Sequence, residues 1–143
     1  INKTIKSVIK QKYRNIEYII VDGKSNDATL TIIKKYKKNI KKILSEKDKG
    51  IYDAFNKGLK LASGDLIGFV NSDDVLTHNA LNLLVKYYNN YPEKDFFFGS
   101  VKKKMGHNSW FQTLVDIFFM GLLYQSFNWI FYKKKSSKKS WKL

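Results

Sequence analysis

The chain predicts an α/β fold, a mostly parallel sheet flanked by helices, and three observations carry that expectation. Short apolar, partly β-branched runs alternate with segments whose apolar residues recur at helical spacing, the pattern of parallel strands joined by helical crossovers. Three of those runs lead into polar turns that hold aspartate: Asp22-Gly23, then Asp48, then Asp73-Asp74. At 143 residues and 43% hydrophobic, the chain supports one modest core and is short for two full domains.

The elements follow in order. From Asn2 to Gln11, Ile5, Val8 and Ile9 share one helical face with lysines elsewhere. Glu17 to Val21 reads as a buried strand stopped by Asp22-Gly23. Ser25-Asn26-Asp27 supplies a helix start, and Leu30 and Ile33 continue at helical spacing. A short strand over Lys42 to Ser45 leads into the turn Glu46 to Gly50. Ile51, Phe55, Leu59 and Ala62 then trace a helical stripe that ends at Ser63-Gly64. Asp65 to Val70 is the next strand, a helix runs from about Thr77 to Asn90 before Pro92, and Asp95 to Phe98 reads as a fourth strand.

Right-handed crossovers bring the loops after Val21, Ser45 and Val70 to one edge of such a sheet. That edge collects Asp22, Asp27, Asp48, Asp53, Asp73 and Asp74, half of the 12 acidic residues. Open α/β sheets bind ligands at this edge. Paired carboxylates there suit hard cations such as Mg²⁺ or Mn²⁺, which commonly bridge to phosphates. Asp73-Asp74 therefore points to a metal–diphosphate site.

Composition narrows the function classes. There are no cysteines, which excludes a disulfide framework and a thiolate metal site. His78 and His107 are too isolated for a zinc site. No secretory signal opens the sequence, and a cytoplasmic setting is expected. The formal charge of +15 invites a nucleic-acid reading. Almost all of it is lysine, however, with Arg14 the only arginine, whereas base and phosphate recognition favours arginine's fork. Specific nucleic-acid binding is not expected. Attraction to an anionic membrane surface or an anionic substrate is.

Residues 101–143 follow other rules. Trp110 to Tyr132 is aromatic and lightly charged, and Lys133 to Lys142 is mostly lysine and serine. If helical, the aromatic stretch has the length to cross a bilayer. Gln112, Asp116, Gln125 and Asn128 are costly in hydrocarbon. Interfacial contact or packing against the domain fits better, and the last ten residues are expected to be disordered.

Three motifs together carry a family resemblance: Tyr18 to Thr29 (YIIVDGKSNDAT), Ser45 to Gly58 (SEKDKGIYDAFNKG) and Gly64 to Asp74 (GDLIGFVNSDD). In this order and spacing they resemble glycosyltransferase family 2, over about residues 2 to 100. The resemblance implies the GT-A fold, a Rossmann-like sheet flanked by helices. It also implies transfer of a sugar from a nucleoside-diphosphate sugar, probable donor base uracil, to an acceptor hydroxyl with inversion. By resemblance, Asp22 contacts the nucleobase, Asp48 and Gly50 wall the base and ribose, Asp73 lies near the ribose, and Asp74 holds a divalent cation. Asn71 stands where many members carry a third aspartate.

The resemblance stops short at both ends. The apolar strand that opens family members is missing before Asn2, and the general base that displacement requires has no clear counterpart after Asp74. Asp116 is the only acid beyond residue 100. The expectation is a partial domain: residues 1–100 a nucleotide-sugar-binding unit, 101–143 a tail of uncertain structure. Its role is a glycosyltransferase of cell-surface polysaccharide synthesis with a glycan or lipid-linked acceptor, cytoplasmic and peripheral at the inner membrane face. Alternatives are a non-catalytic remnant of such an enzyme and a basic nucleic-acid-binding module. Simpler roles also stand: Asp22 as a turn former, Asp27 as a helix cap, Asp48 to Gly50 as an ordinary turn and Asp53 as a dipole-favouring acid.

Overall fold

In the computed structural model, which describes residues 1–99 and 130–133, helices and strands alternate as the sequence pattern requires. Helix α1 (Asn2–Ile9) precedes strand β1 (Ile19–Asp22), helix α2 (Thr29–Lys35), a short 3₁₀ turn (Lys37–Asn39) and strand β2 (Lys42–Ser45). Helix α3 (Ile51–Leu61), strand β3 (Leu66–Gly68), helix α4 (Ala80–Asn90) and strand β4 (Phe96–Phe98) follow, and Ile130–Lys133 forms β5.

Strands β1 and β2 pair in parallel, with Ile19 opposite Lys42 and Asp22 opposite Ser45. The other strands form a second ladder in the order β3-β5-β4, and β5 runs antiparallel to both neighbours. Strands β3 and β4 therefore point the same way, with an inserted reverse strand between them. Sequence pattern placed no strand at residues 130–133; the aromatic stretch ends in β5 rather than in helix. The acid Asp116 and the lysine-rich end beyond Lys133 lie outside the described residues.

Two clusters hold the layers together. Ile5 of α1, Ile20 of β1, Ile33 of α2 and Ile40 form one, with Tyr18 and Tyr36 packed against it. Val8 of α1 and Leu76 form the other, joined by Tyr18, Val70 and Leu81. Helix α1 thus spans both clusters. Tyr18 belongs to both, and burial pushes its phenol up to about 12. Helix α3 lies over the strands: Gly58 approaches Val21 and Phe69, and Phe55 stacks on Phe69 with ring centroids 4.3 Å apart. Helix α4 covers the second ladder, where Tyr88 meets the edge of buried Phe97.

Two helices begin later than their composition suggests, one because of a local contact and one because of a distant one. Ser25 donates both its N–H and its hydroxyl to Asp22, so it is not available as a cap. The chain runs on until the Asp27 carboxylate accepts the Thr29 N–H, an Asx-type turn that starts two residues before the first helical residue. Thr77 gives its carbonyl to Gln11, just past α1, and α4 starts at Ala80.

Candidate functional site

The carboxylate of Asp22 ends β1, and Ser45 lies opposite it in the parallel register. Its oxygens accept the Ser25 N–H at 3.1 Å, the Ser25 hydroxyl at 2.5 Å and the Ser45 hydroxyl at 2.6 Å. The residue is 5% exposed. Burial pushes its carboxyl up, but the hydrogen bonds from Ser25 and Ser45 outweigh that and hold it below the ordinary carboxylate range. Asp22 thus locks the ends of two strands and one turn together. A carboxylate offers about four lone-pair directions, so it retains limited capacity toward a ligand.

The turn after Asp22 is unusual. Lys24 adopts φ of 66°, a region that costs most residues energy. A Cβ built on Gly23 would lie 2.5 Å from the Asp48 carboxylate. Only glycine admits the Asp48 side chain to this corner. Asp48 also accepts the Gly50 N–H at 3.0 Å, which folds its own turn. The structure therefore brings Asp22, Gly23 and Asp48 to one point at the carboxyl ends of β1 and β2.

Gly50 has φ of 114° and stands at the N-cap of α3, with nothing near the position of a Cβ. Its requirement is conformational rather than steric. Asp53, two positions into α3 past Ile51, accepts the Lys49 N–H at 3.1 Å and pairs with Lys57 at 3.1 Å. Lys57 also meets Glu46 at 3.1 Å and donates to the Lys47 carbonyl at 2.9 Å. Backbone donation from Lys49, followed by the bond to Lys57, holds the Asp53 carboxyl below its ordinary value. The helix-start role foreseen for Asp53 is the one its contacts describe, and the same contacts brace the Asp48 turn.

Asp73 and Asp74 occupy a separate turn beyond β3. Asp73 is exposed and Asp74 half-buried. The Asp74 N–H donates to the Asn71 carbonyl, and the Asn71 amide donates to the Asp74 carboxylate, both at 3.1 Å. Helix α3 connects this turn to the first corner, since its Gly58 and Phe55 touch Val21 of β1 and Phe69 just before Asn71. Among the described residues no three His, Cys, Asp or Glu side chains converge as a metal cage. A Mg²⁺ shared with substrate phosphates needs only one or two protein carboxylates. The hard oxygens of Asp73 and Asp74 fit that donor chemistry. A cleft of about 140 Å³ lined by Tyr13, Arg14, Tyr18 and Asn39 includes none of these acids.

Pattern reading missed two features. One is Gly23, whose signal was its position directly after a strand-end acid. The other is a polar row of Thr4 and Ser7 on α1 and Gln11 just past its end, at the spacing of three and four that a helical face would give.

Comparison with known proteins settles the kinship. The sequence profile of glycosyl transferase family 2 matches residues 1–142. This chain belongs to that family. Among its relatives is an uncharacterised glycosyltransferase of Mycobacterium tuberculosis (strain ATCC 25618 / H37Rv), 41% identical over 75 residues, or 52% of this chain and 29% of that one. Another is the Escherichia coli UDP-Glc:alpha-D-GlcNAc-diphosphoundecaprenol beta-1,3-glucosyltransferase WfaP, 37% identical over 106 residues, or 65% of this chain and 41% of that one. S. aureus TarS 1-349 superposes with a TM-score of 0.67 at 25% identity, covering 75% of this chain and 33% of that one. Its complex with UDP gives 0.65 at 24%, covering 76% and 33%. The α/β architecture is the GT-A fold of these neighbours. The family 2 chain described here spans less than half the length of each of these relatives. Among the described residues no helix is long and apolar enough to cross a membrane.

Proposed function

We propose that this chain forms the donor-binding part of a glycosyltransferase that moves a sugar from a nucleoside-diphosphate sugar, with uridine as the base, to an acceptor hydroxyl. One observation carries the reading: the Asp48 turn closes on Asp22-Gly23 at the carboxyl ends of two parallel strands, where α/β sheets take nucleotides. The similarity to a structure solved with UDP supports it. Relatives named for lipid-linked glucosyl transfer support a glycan or lipid-linked acceptor in surface polysaccharide synthesis. The lysine-rich surface suits a peripheral place on an anionic membrane at its cytoplasmic face.

In this reading Asp22 faces the base through its remaining lone pair, and Asp48 and Gly50 wall base and ribose. Asp73 stands by the ribose, and Asp74 holds Mg²⁺ or Mn²⁺. When bound, the cation supplies Lewis-acid neutralisation of the diphosphate leaving group. The residues of the chain orient the donor and exclude water from it.

Calorimetry with UDP and Mn²⁺ tests the reading. Cation-dependent UDP binding that Asp74→Asn abolishes is the expected result. Identical behaviour of the two proteins contradicts it, and salt-steep binding to DNA that ignores Asp74→Asn supports a nucleic-acid module instead. Binding without hydrolysis of any nucleotide sugar identifies a donor-binding remnant.

A further inference from the structure

Helix α1 and the residues just past its end carry an apolar row and a polar row. Ile5 and Val8 enter the two apolar clusters. Beside them Thr4 and Gln11 are 2% and 1% exposed, yet both are polar. Buried polar side chains persist when they are hydrogen-bonded, and beyond their own segment the partners here lie in one distant stretch, residues 72–81. The Thr4 hydroxyl donates to the Ser72 carbonyl at 2.6 Å. The Ser7 hydroxyl accepts the Leu76 N–H at 3.0 Å while donating to the Thr4 carbonyl at 2.7 Å. Gln11 donates to the Thr77 carbonyl at 2.8 Å and to the Ser7 carbonyl at 3.0 Å, and its own carbonyl accepts the Leu81 N–H at 3.2 Å. That N–H belongs to the first turn of α4, whose N-cap Asn79 makes no side-chain cap bond. Gln11 caps α4 from the segment just past α1.

The anchors bracket the carboxylate pair. Thr4 grips the residue before Asp73, and Ser7 grips the second residue after Asp74. Between them the Asn71–Asp74 bonds close the turn. We propose that Thr4, Ser7 and Gln11 are positioning residues that set Asp73 and Asp74 for a divalent cation and its diphosphate. The inference rests on the donor-site reading above and adds the device that builds the site. The stripe acts through backbone rather than through the carboxylates, so it fixes where the acids stand and leaves their charge free for the ligand.

The test compares Mn²⁺ binding in the presence of UDP, read from the loss of the free-ion paramagnetic signal, for the wild-type chain, Thr4→Val, Thr4→Ser and Ile33→Val. Thr4→Val keeps shape and removes the donor; Thr4→Ser keeps the donor. Ile33→Val removes a buried methylene from α2, away from the turn, and reports what loss of stability alone does. Hydrogen exchange over residues 72–76 is followed in the same proteins. The expected result is a fall in Mn²⁺ affinity of about tenfold or more in Thr4→Val, in line with the cost of removing support behind metal ligands, with faster exchange over 72–76. Thr4→Ser restores both, and Ile33→Val leaves affinity unchanged. Wild-type affinity in Thr4→Val overturns the inference and leaves the donor-site reading standing. An equal loss in Ile33→Val also overturns it, since stability alone then accounts for the effect. Absence of Mn²⁺–UDP binding in the wild type removes the donor-site reading and the inference with it.

Discussion

Asp22 and Gly50 show how single residues carry two demands at once. Asp22 ties β1 to β2 through Ser45 and shapes the turn through Ser25. Its folded carboxyl lies below the ordinary value, so the unfolded chain binds this proton more readily than the folded one. Its contribution to stability is complete above the ordinary carboxylate value and is lost as pH falls through the lowered folded value. Asp22→Asn is expected to be less stable at neutral pH and to lose less on acidification. Urea melts across the acid range check this, and parallel stability curves for the two proteins contradict it. Gly50→Ala places a Cβ at φ 114°, and thermal or urea unfolding should show a cost of about 1–3 kcal/mol.

The turn of residues 46–50 depends on α3. Lys57 reaches Glu46, the Lys47 carbonyl and Asp53, and Asp53 reaches the Lys49 N–H. Lys57→Met should speed amide exchange over residues 46–50 while leaving β1 and β2 protected, as expected when a surface turn loses its brace but the core does not. Unchanged exchange in that turn counts against the bracing role. The opposite end of α3 is held similarly: Lys42 donates to the Leu61 carbonyl, and Glu17 accepts the N–H and hydroxyl of Ser63.

Elements were legible where local chemistry decided them. Strand β2 lies at Lys42–Ser45 and α3 begins at Ile51, as apolar spacing and the Gly50 turn predict. The starts of α2 and α4 were illegible, because Asp22 captures Ser25 within the turn after β1 and Gln11 captures Thr77 from 66 residues away. The roles of Thr4, Ser7 and Gln11 were illegible too, since polarity alone does not reveal a distant backbone partner. Strand β5 needed partners about 35 to 65 residues away in the chain, a pairing that periodicity does not encode.

For the whole molecule, α1 and α3 join parts that backbone pairing leaves apart. The parallel pair β1-β2 and the ladder β3-β5-β4 share no strand, yet Tyr18 packs in both apolar clusters and Phe55 stacks on Phe69. The sequence pattern expects the acids along one edge; the structure joins Asp22-Gly23 to Asp48 at one corner and sets Asp73 and Asp74 in a separate turn linked to it through α3. The formal charge of +15 surrounds these acids with a lysine-rich chain whose field attracts anionic partners.

The most direct test of one shared site is an amide NMR map of the chain with UDP, first with Mg²⁺ and then with a trace of Mn²⁺. Shift changes at residues 22–25 and 48–50, with paramagnetic broadening centred on residues 71–75, are the predicted result. Shifts confined to the cleft around Arg14, or broadening that leaves residues 71–75 sharp, contradict the account.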